Sequence, residues 1–196
     1  MFLSRRHSNN DLRRLRLVLG NAYDQLGRVA DARRTLQAAA DEFAAVEPAD
    51  KQTAMAARER WGRFLMARGQ FDAAQTQFDS VLAQDHGRHL AHTALAQAGL
   101  GAVALARGQT AQALELSADA WRQWLAVRGF RDVRMGPYLR RMHARALLAA
   151  GDVAAARATA QAALGESLRY DAPEAASISE ARALLRQAQS TQFAKH

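Results

Sequence analysis

The chain has 196 residues, 49% of them hydrophobic, with no cysteine and a formal net charge of +8. That composition supports a buried core in one domain or a short repeat array, and it excludes a disordered chain, disulfides, thiolate zinc sites and cysteine nucleophiles. No apolar run reaches the ~18 residues a bilayer span needs, and Met1-Phe2-Leu3 is followed at once by Ser4-Arg5-Arg6-His7 rather than by a secretory apolar segment. The expected location is cytoplasmic.

In chain order, residues 1–10 ("MFLSRRHSNN") read as a polar lead, and Asp11 as the cap of the first helix. From there alanine, leucine, arginine and glutamine dominate, all good helix formers, and no β-branched alternation lasts the length of a strand. The chain is expected to be all-α. Helical runs stop at Gly27, Gly69, Gly108 and Gly151, in "QLGRVADA", "ARGQFDAA", "ARGQTAQA" and "AAGDVAAA", and restart within three residues. These glycines are 42, 39 and 43 residues apart. Glycine suits the left-handed conformation that ends a helix, and a two-helix unit recurring at this period describes a solenoid.

Longer connections separate the units: "VEPADKQ" with Pro48, "QDHGRH" with Gly87, "RGFRDVRMGP" with Gly129 and Gly136, and "RYDAP" ending in Pro173. Pro137 and Pro173 are placed to open helices, since a first-turn proline loses no hydrogen bond. The helix pairs are expected at about 11–47, 53–84, 88–128 and 134–169, within an array of residues 11–171. One more amphipathic helix is expected in 172–190, and 191–196 is expected to form a frayed tail.

Small and large residues recur at fixed offsets from each turn glycine. The first unit carries Leu19, Gly20, Tyr23, Gly27, Ala32, Leu36 and Ala39; the second carries Trp61, Gly62, Leu65, Gly69, Ala74, Phe78 and Val81. The third has Leu100, Gly101, Ala104, Gly108, Ala113, Ser117 and Ala120, and the fourth His143, Ala144, Leu147, Gly151, Ala156, Ala160 and Ala163. Ser117, His143 and Ala160 stand where large apolar residues belong. The pattern closely resembles the tetratricopeptide repeat over residues 12–168. The period near forty, longer than the ~34-residue minimum, resembles the kinesin-light-chain-like variety. The resemblance implies a right-handed α-solenoid of antiparallel helix pairs, about four repeats plus a C-terminal capping helix. Trp121 and Trp124, on the long second helix of the third unit, are expected to cover the core between repeats.

The resemblance also implies that first-helix positions line a concave face and hold a partner. In the first unit these are Leu17, Asn21 and Asp24; in the second, Glu59, Arg63 and Met66. The third offers Leu95, Ala98, Ala102 and Leu105, and the fourth Tyr138, Arg141, Arg145 and Leu148. An asparagine amide both donates to and accepts from a peptide backbone, which favours Asn21. Arg63, Arg141 and Arg145 suit carboxylates and hence an acidic partner. The full lysine–arginine–asparagine clamp of chaperone-binding members is not reproduced, because Ala98 and Ala102 leave the third unit bare and Glu59 opposes an anion.

"DHGRHLAH" (85–92) holds three of the six histidines. It reads as a repeat junction in which Asp85 and His86 shape the turn. His89 and His92 remain, one helical turn apart, a weak pair where zinc needs three or four ligands; no metal site and no cofactor are expected. There is no phosphate loop, HExxH or GxSxG, so an enzyme is not expected.

These readings describe a scaffold that binds a peptide or helix of a partner protein in its groove. Similar arrays occur at the C-terminal end of bacterial serine/threonine kinases, so a regulatory or sensory region of a larger signalling protein fits. One alternative is a basic nucleic-acid-associated or transcription-regulator repeat domain. Against it, the arginines are scattered, with the densest run at Arg13–Arg16 and no interleaved stacking platform. A self-assembling structural module is the other, a homo-oligomer pairing through apolar third-unit residues such as Leu95 and Leu105.

Overall fold

The computed structural model describes residues 2–44, 51–84, 90–127, 135–173 and 175–193. Among them are nine α-helices and no strand: α1 (Phe2–Gln25), α2 (Val29–Ala44), α3 (Lys51–Met66), α4 (Phe71–Gln84), α5 (Leu90–Ala106), α6 (Thr110–Ala126), α7 (Met135–Ala149), α8 (Val153–Tyr170) and α9 (Ala176–Phe193). Contacts divide the chain into two compact units, 1–92 and 93–196. The first holds the pairs α1/α2 and α3/α4, and the second holds α5/α6, α7/α8 and α9.

The four glycine turns are built alike. Gly27, Gly69, Gly108 and Gly151 have φ of 69°, 70°, 75° and 83°. At each, the glycine N–H donates to the carbonyl three residues back and the next N–H to the carbonyl five residues back. Gly27 thus donates to Asp24 at 3.0 Å and Arg28 to Tyr23 at 2.8 Å; Gly151 donates to Leu148 at 3.1 Å and Asp152 to Leu147 at 3.0 Å. This double bond closes the helix end and satisfies carbonyls that would otherwise lack partners. Five residues after each glycine, Ala32, Ala74, Ala113 and Ala156 are buried, which lets the paired helices approach closely.

The helix crossings of the first two repeats follow one rule of volume. A Cβ placed on Gly20 would meet Leu36 Cδ2 at 2.7 Å, and one on Gly62 would meet Phe78 Cε1 at 2.7 Å. A glycine on the first helix therefore admits a large side chain from the second. In the fourth unit both positions are alanine: Ala144 and Ala160 pack together with Leu184 of α9. The two alanine side chains are smaller than the glycine–leucine or glycine–phenylalanine combination, and Leu184 of α9 packs into the same cluster.

Three expectations are corrected. Residues 2–10 are not a lead, because α1 starts at Phe2 and Asp11 lies within it. An established helix extends at little cost through serine and asparagine, which lose only tenths of a kcal/mol each, of order 0.5. Pro173 lies in the turn before α9 rather than inside its first turn, while Pro137 does sit in the first turn of α7. Of the expected tail, 191–193 continue α9 and 194–196 lie outside the described residues. Also outside them are Pro48, the turn residues Asp85 and His86, His89, and residues 128–134 of the connection before α7.

Candidate functional site

In the first unit, Asn21 and Asp24 lie on α1 and are half-buried. Asp24 forms an ion pair with Arg68, which follows α3. Arg68 Nη1 also donates to the Phe64 carbonyl at 3.1 Å, and its guanidinium lies 3.6 Å from the centroid of the Phe64 ring. Asp24 thus joins the ends of α1 and α3. Leu17 is 3% exposed and belongs to the core. Glu59 is 2% exposed and ion-paired with Arg63 one turn along α3. Burial beneath its own arginine takes Glu59 out of the way of an incoming anion, contrary to its expected role on the open face. Met66 is half-buried at the end of α3.

In the fourth repeat, within the second compact unit, Arg141 and Arg145 are one turn apart on α7 and converge on a residue absent from the expected set. Arg141 Nε donates to Glu180 Oε2 of α9 at 3.3 Å, and Arg145 Nη2 donates to the same oxygen at 3.5 Å. The Arg141 side chain is 8% exposed, whereas Arg145 and Glu180 are 39% and 42% exposed. Burial pushes the Arg141 guanidinium below its usual range, and the Glu180 carboxylate opposes that shift. Arg141 Nη1 is buried with no hydrogen-bond partner. Two cations thus share one half-exposed anion, leaving excess positive charge and donor capacity beside α9. Tyr138 is half-buried on the same helix.

The third repeat offers little. Leu95 and Ala98 are buried, and Leu105 packs against the cluster of Ala104, Ala113 and Ala146. Of the apolar residues expected there for self-pairing, Leu95 is buried and Leu105 is partly buried. His92 is half-buried on α5. No group of three or more potential metal ligands occurs among the described residues.

Other arginines are held by the fold. Arg140 lies between the Trp121 ring, 4.0 Å from its centroid, and Glu166, to which Nε donates at 2.9 Å. Arg16 forms the equivalent ion pair with Glu42 in the first unit. Both pairs span 26 residues and join the two helices of a repeat. The shared spacing, in phase with the turn glycines, was the sequence signal for them. Glu180 had no such signal, since the partners of a closing helix do not recur.

Two segments, residues 13–38 and 137–167, match the family model described as "Tetratricopeptide repeat". Those two segments resemble tetratricopeptide repeats. Solved structures extend this likeness over nearly its full length. A singly substituted form of the nearly identical TPR-like repeats of a candidate kinesin light chain from Podosopora anserina superposes with a TM-score of 0.60 at 22% identity, covering 92% of this chain and 86% of that one. The repeats without that substitution give 0.56 at 22% identity, over 93% and 96%. BtubC (BKLC) from P. vanneervenii gives 0.60 at 13% identity, over 97% and 86%. At such identities these likenesses establish the fold, an all-α helical-repeat architecture. No curated protein matches the chain in sequence. Tetratricopeptide repeats are generally protein–protein interaction modules and typically non-catalytic. No described helix is long and apolar enough to cross a membrane.

Proposed function

We propose that these repeats hold a peptide or helix of a partner protein against first-helix residues of either compact unit, Asn21, Asp24, Arg63 and Met66 in the first and Tyr138, Arg141 and Arg145 in the second, with acidic partners preferred. The observation that carries this reading is the α7–α9 cluster, in which two arginines share the single carboxylate of Glu180. A partner carboxylate arriving beside Arg145 gains a charge-assisted hydrogen bond and removes an electrostatic surplus. A nucleic-acid surface is less well supported. At least nine arginines among the described residues are already engaged in ion pairs with the chain's own carboxylates.

The wider role we propose is regulatory: the repeats dock a client for a larger signalling protein. Fluorescence polarisation against acidic, neutral and basic helical peptides tests the binding reading. Acidic peptides should bind best, weaken with salt, and lose about tenfold in affinity with Arg145→Ala. Equal binding of basic peptides, or no change with Arg145→Ala, would sink the acidic-partner reading.

A further inference from the structure

The outer face of α1 is an uncovered apolar seam. Leu12, Leu15, Val18 and Leu19 are 58%, 62%, 60% and 46% exposed. With Ala22 they line an open groove of about 820 Å³ whose other wall is α2, with Thr35 and Ala38. Scattered exposed leucines need no explanation, but a contiguous stripe of them does.

The repeats themselves show what this face is for. Counting back from the turn glycines, Leu12, Leu15, Leu19 and Ala22 of α1 correspond to Gly136, Leu139, His143 and Ala146 of α7. Gly136, His143 and Ala146 meet α6. A Cβ on Gly136 would lie 3.5 Å from Trp124 Nε1, His143 Nδ1 is 3.0 Å from Ser117 Oγ, and Ala146 packs on Ala113. Leu139 is 0% exposed, against 62% for Leu15. On α3 the corresponding Ala57, Trp61 and Phe64 are also buried, with Arg33 of α2 over both rings. The covering helix α6 runs antiparallel to α7, since 113, 117 and 124 meet 146, 143 and 136 in reverse order.

Side-chain size selects the occupant. Gly136 makes room for a tryptophan, whereas Leu12 fills that place, so a helix resembling α6 does not fit. The α1 face asks for an antiparallel helix with aliphatic side chains at the same spacing. Positions 12, 15, 19 and 22 follow the alternating three- and four-residue steps of a coiled-coil seam. α9, at the other end of the chain, shows exposed Arg182, Arg186 and Gln189 instead, so it offers no complementary face. α1 itself does. Arg16, the basic residue between Leu15 and Leu19, is ion-paired with Glu42 of its own chain and so brings no unpaired charge to the seam, while Arg34 shares Asp31 with Arg28.

We infer that α1 pairs antiparallel with α1 of a second copy of this chain about a two-fold axis, Leu15 of one copy against Leu19 of the other. An isologous contact of this kind closes on itself and leaves the first-helix groove positions free. About ten apolar side chains take part, at the small end of specific interfaces, so the dimer is expected to dissociate in the micromolar range. This inference stands apart from the acidic-partner reading, which concerns a different face.

Sedimentation velocity over a concentration series tests it, with circular dichroism confirming the helix content of each variant. The wild-type chain should move from monomer to dimer, and Leu15→Glu should raise the dissociation constant by at least about 30-fold. Both leucines are exposed, so the variants should fold. Because the chain has no cysteine, Leu15→Cys mixed with Leu19→Cys should form a disulfide-linked heterodimer under oxidation, in excess of either homodimer. A monomer at every concentration, a dimer indifferent to Leu15→Glu, or no preferential cross-link would each overturn the assignment.

Discussion

Ser117 Oγ lies 3.0 Å from His143 Nδ1, across the contact between α6 and α7. The serine also hydrogen-bonds the Leu114 carbonyl at 3.0 Å. Its single hydroxyl proton goes to that carbonyl, leaving the Nδ1–H of His143 to donate back to Oγ. Two residues that individually break the repeat pattern thus satisfy each other. A double-mutant cycle with Ser117→Ala and His143→Leu should give a coupling energy of about 0.5–1.5 kcal/mol. Chemical denaturation of the four proteins measures it, and additive losses would reject the pair.

The same histidine makes stability depend on pH. Burial pushes His143 below its ordinary value of 6.5. Below that value the unfolded chain takes up a proton that the folded chain resists, so the unfolded state binds more protons and stability falls as pH falls. The contribution is present in full above pH 6.5 and is lost as pH drops through the lowered folded value. His143→Gln should flatten the stability profile between neutral pH and about pH 5 relative to wild type. Denaturant midpoints at several pH values check this; parallel profiles would refute it.

The volume rule at the helix crossings predicts a rescue. Gly62→Ala drives a Cβ to 2.7 Å from Phe78 Cε1 and should cost about 1–3 kcal/mol. Phe78→Leu in the same chain should recover part of that loss. The converse holds in the fourth unit, where Ala160→Leu alone is overpacked against Ala144 and adding Ala144→Gly should relieve it. Thermal or urea unfolding of the singles and doubles measures the non-additivity.

The turn glycines are constrained by backbone rather than space. A Cβ on Gly69 meets nothing within 4 Å, yet φ is +70°. Gly69→Ala should therefore cost about 1 kcal/mol purely through the left-handed conformation, and Gly69→Asn less, since asparagine tolerates that region. An alanine as stable as the glycine in urea unfolding would contradict this.

These comparisons show where the sequence was informative. The turn glycines, the buried alanines five residues later and the helix pairing recur, so four copies reinforced each other. Ser117 and His143 look like decay of the pattern when each is read against its own repeat, because they meet across neighbouring repeats; Ala160 packs on Ala144 and on Leu184 of the unrepeated helix α9. Arg141 and Arg145 were read as open to a ligand because Glu180 sits on the unrepeated helix α9. Leu19 stands at a core position of the motif yet is 46% exposed, and its own repeat does not reveal that exposure. Burial of Leu17, Glu59 and Leu95 likewise depends on neighbours that a helical period cannot supply.

Glu180 should limit both stability and ligand affinity, in opposite directions. Removing its carboxylate strips a charged partner from Arg141, whose side chain is 8% exposed. The loss should be about 1–2 kcal/mol, toward the low end for charged hydrogen bonds because the carboxylate is itself half-exposed. Glu180→Gln keeps the shape and an acceptor while removing the charge, so it should lose less than Glu180→Ala. Both variants leave Arg141 and Arg145 without an internal anion. An acidic peptide should then bind either variant more tightly than wild type, with a steeper salt dependence. Calorimetric titration at two salt concentrations, paired with urea unfolding, separates the effects. Unchanged peptide affinity beside a clear loss of stability would make the Arg141–Glu180–Arg145 cluster purely structural.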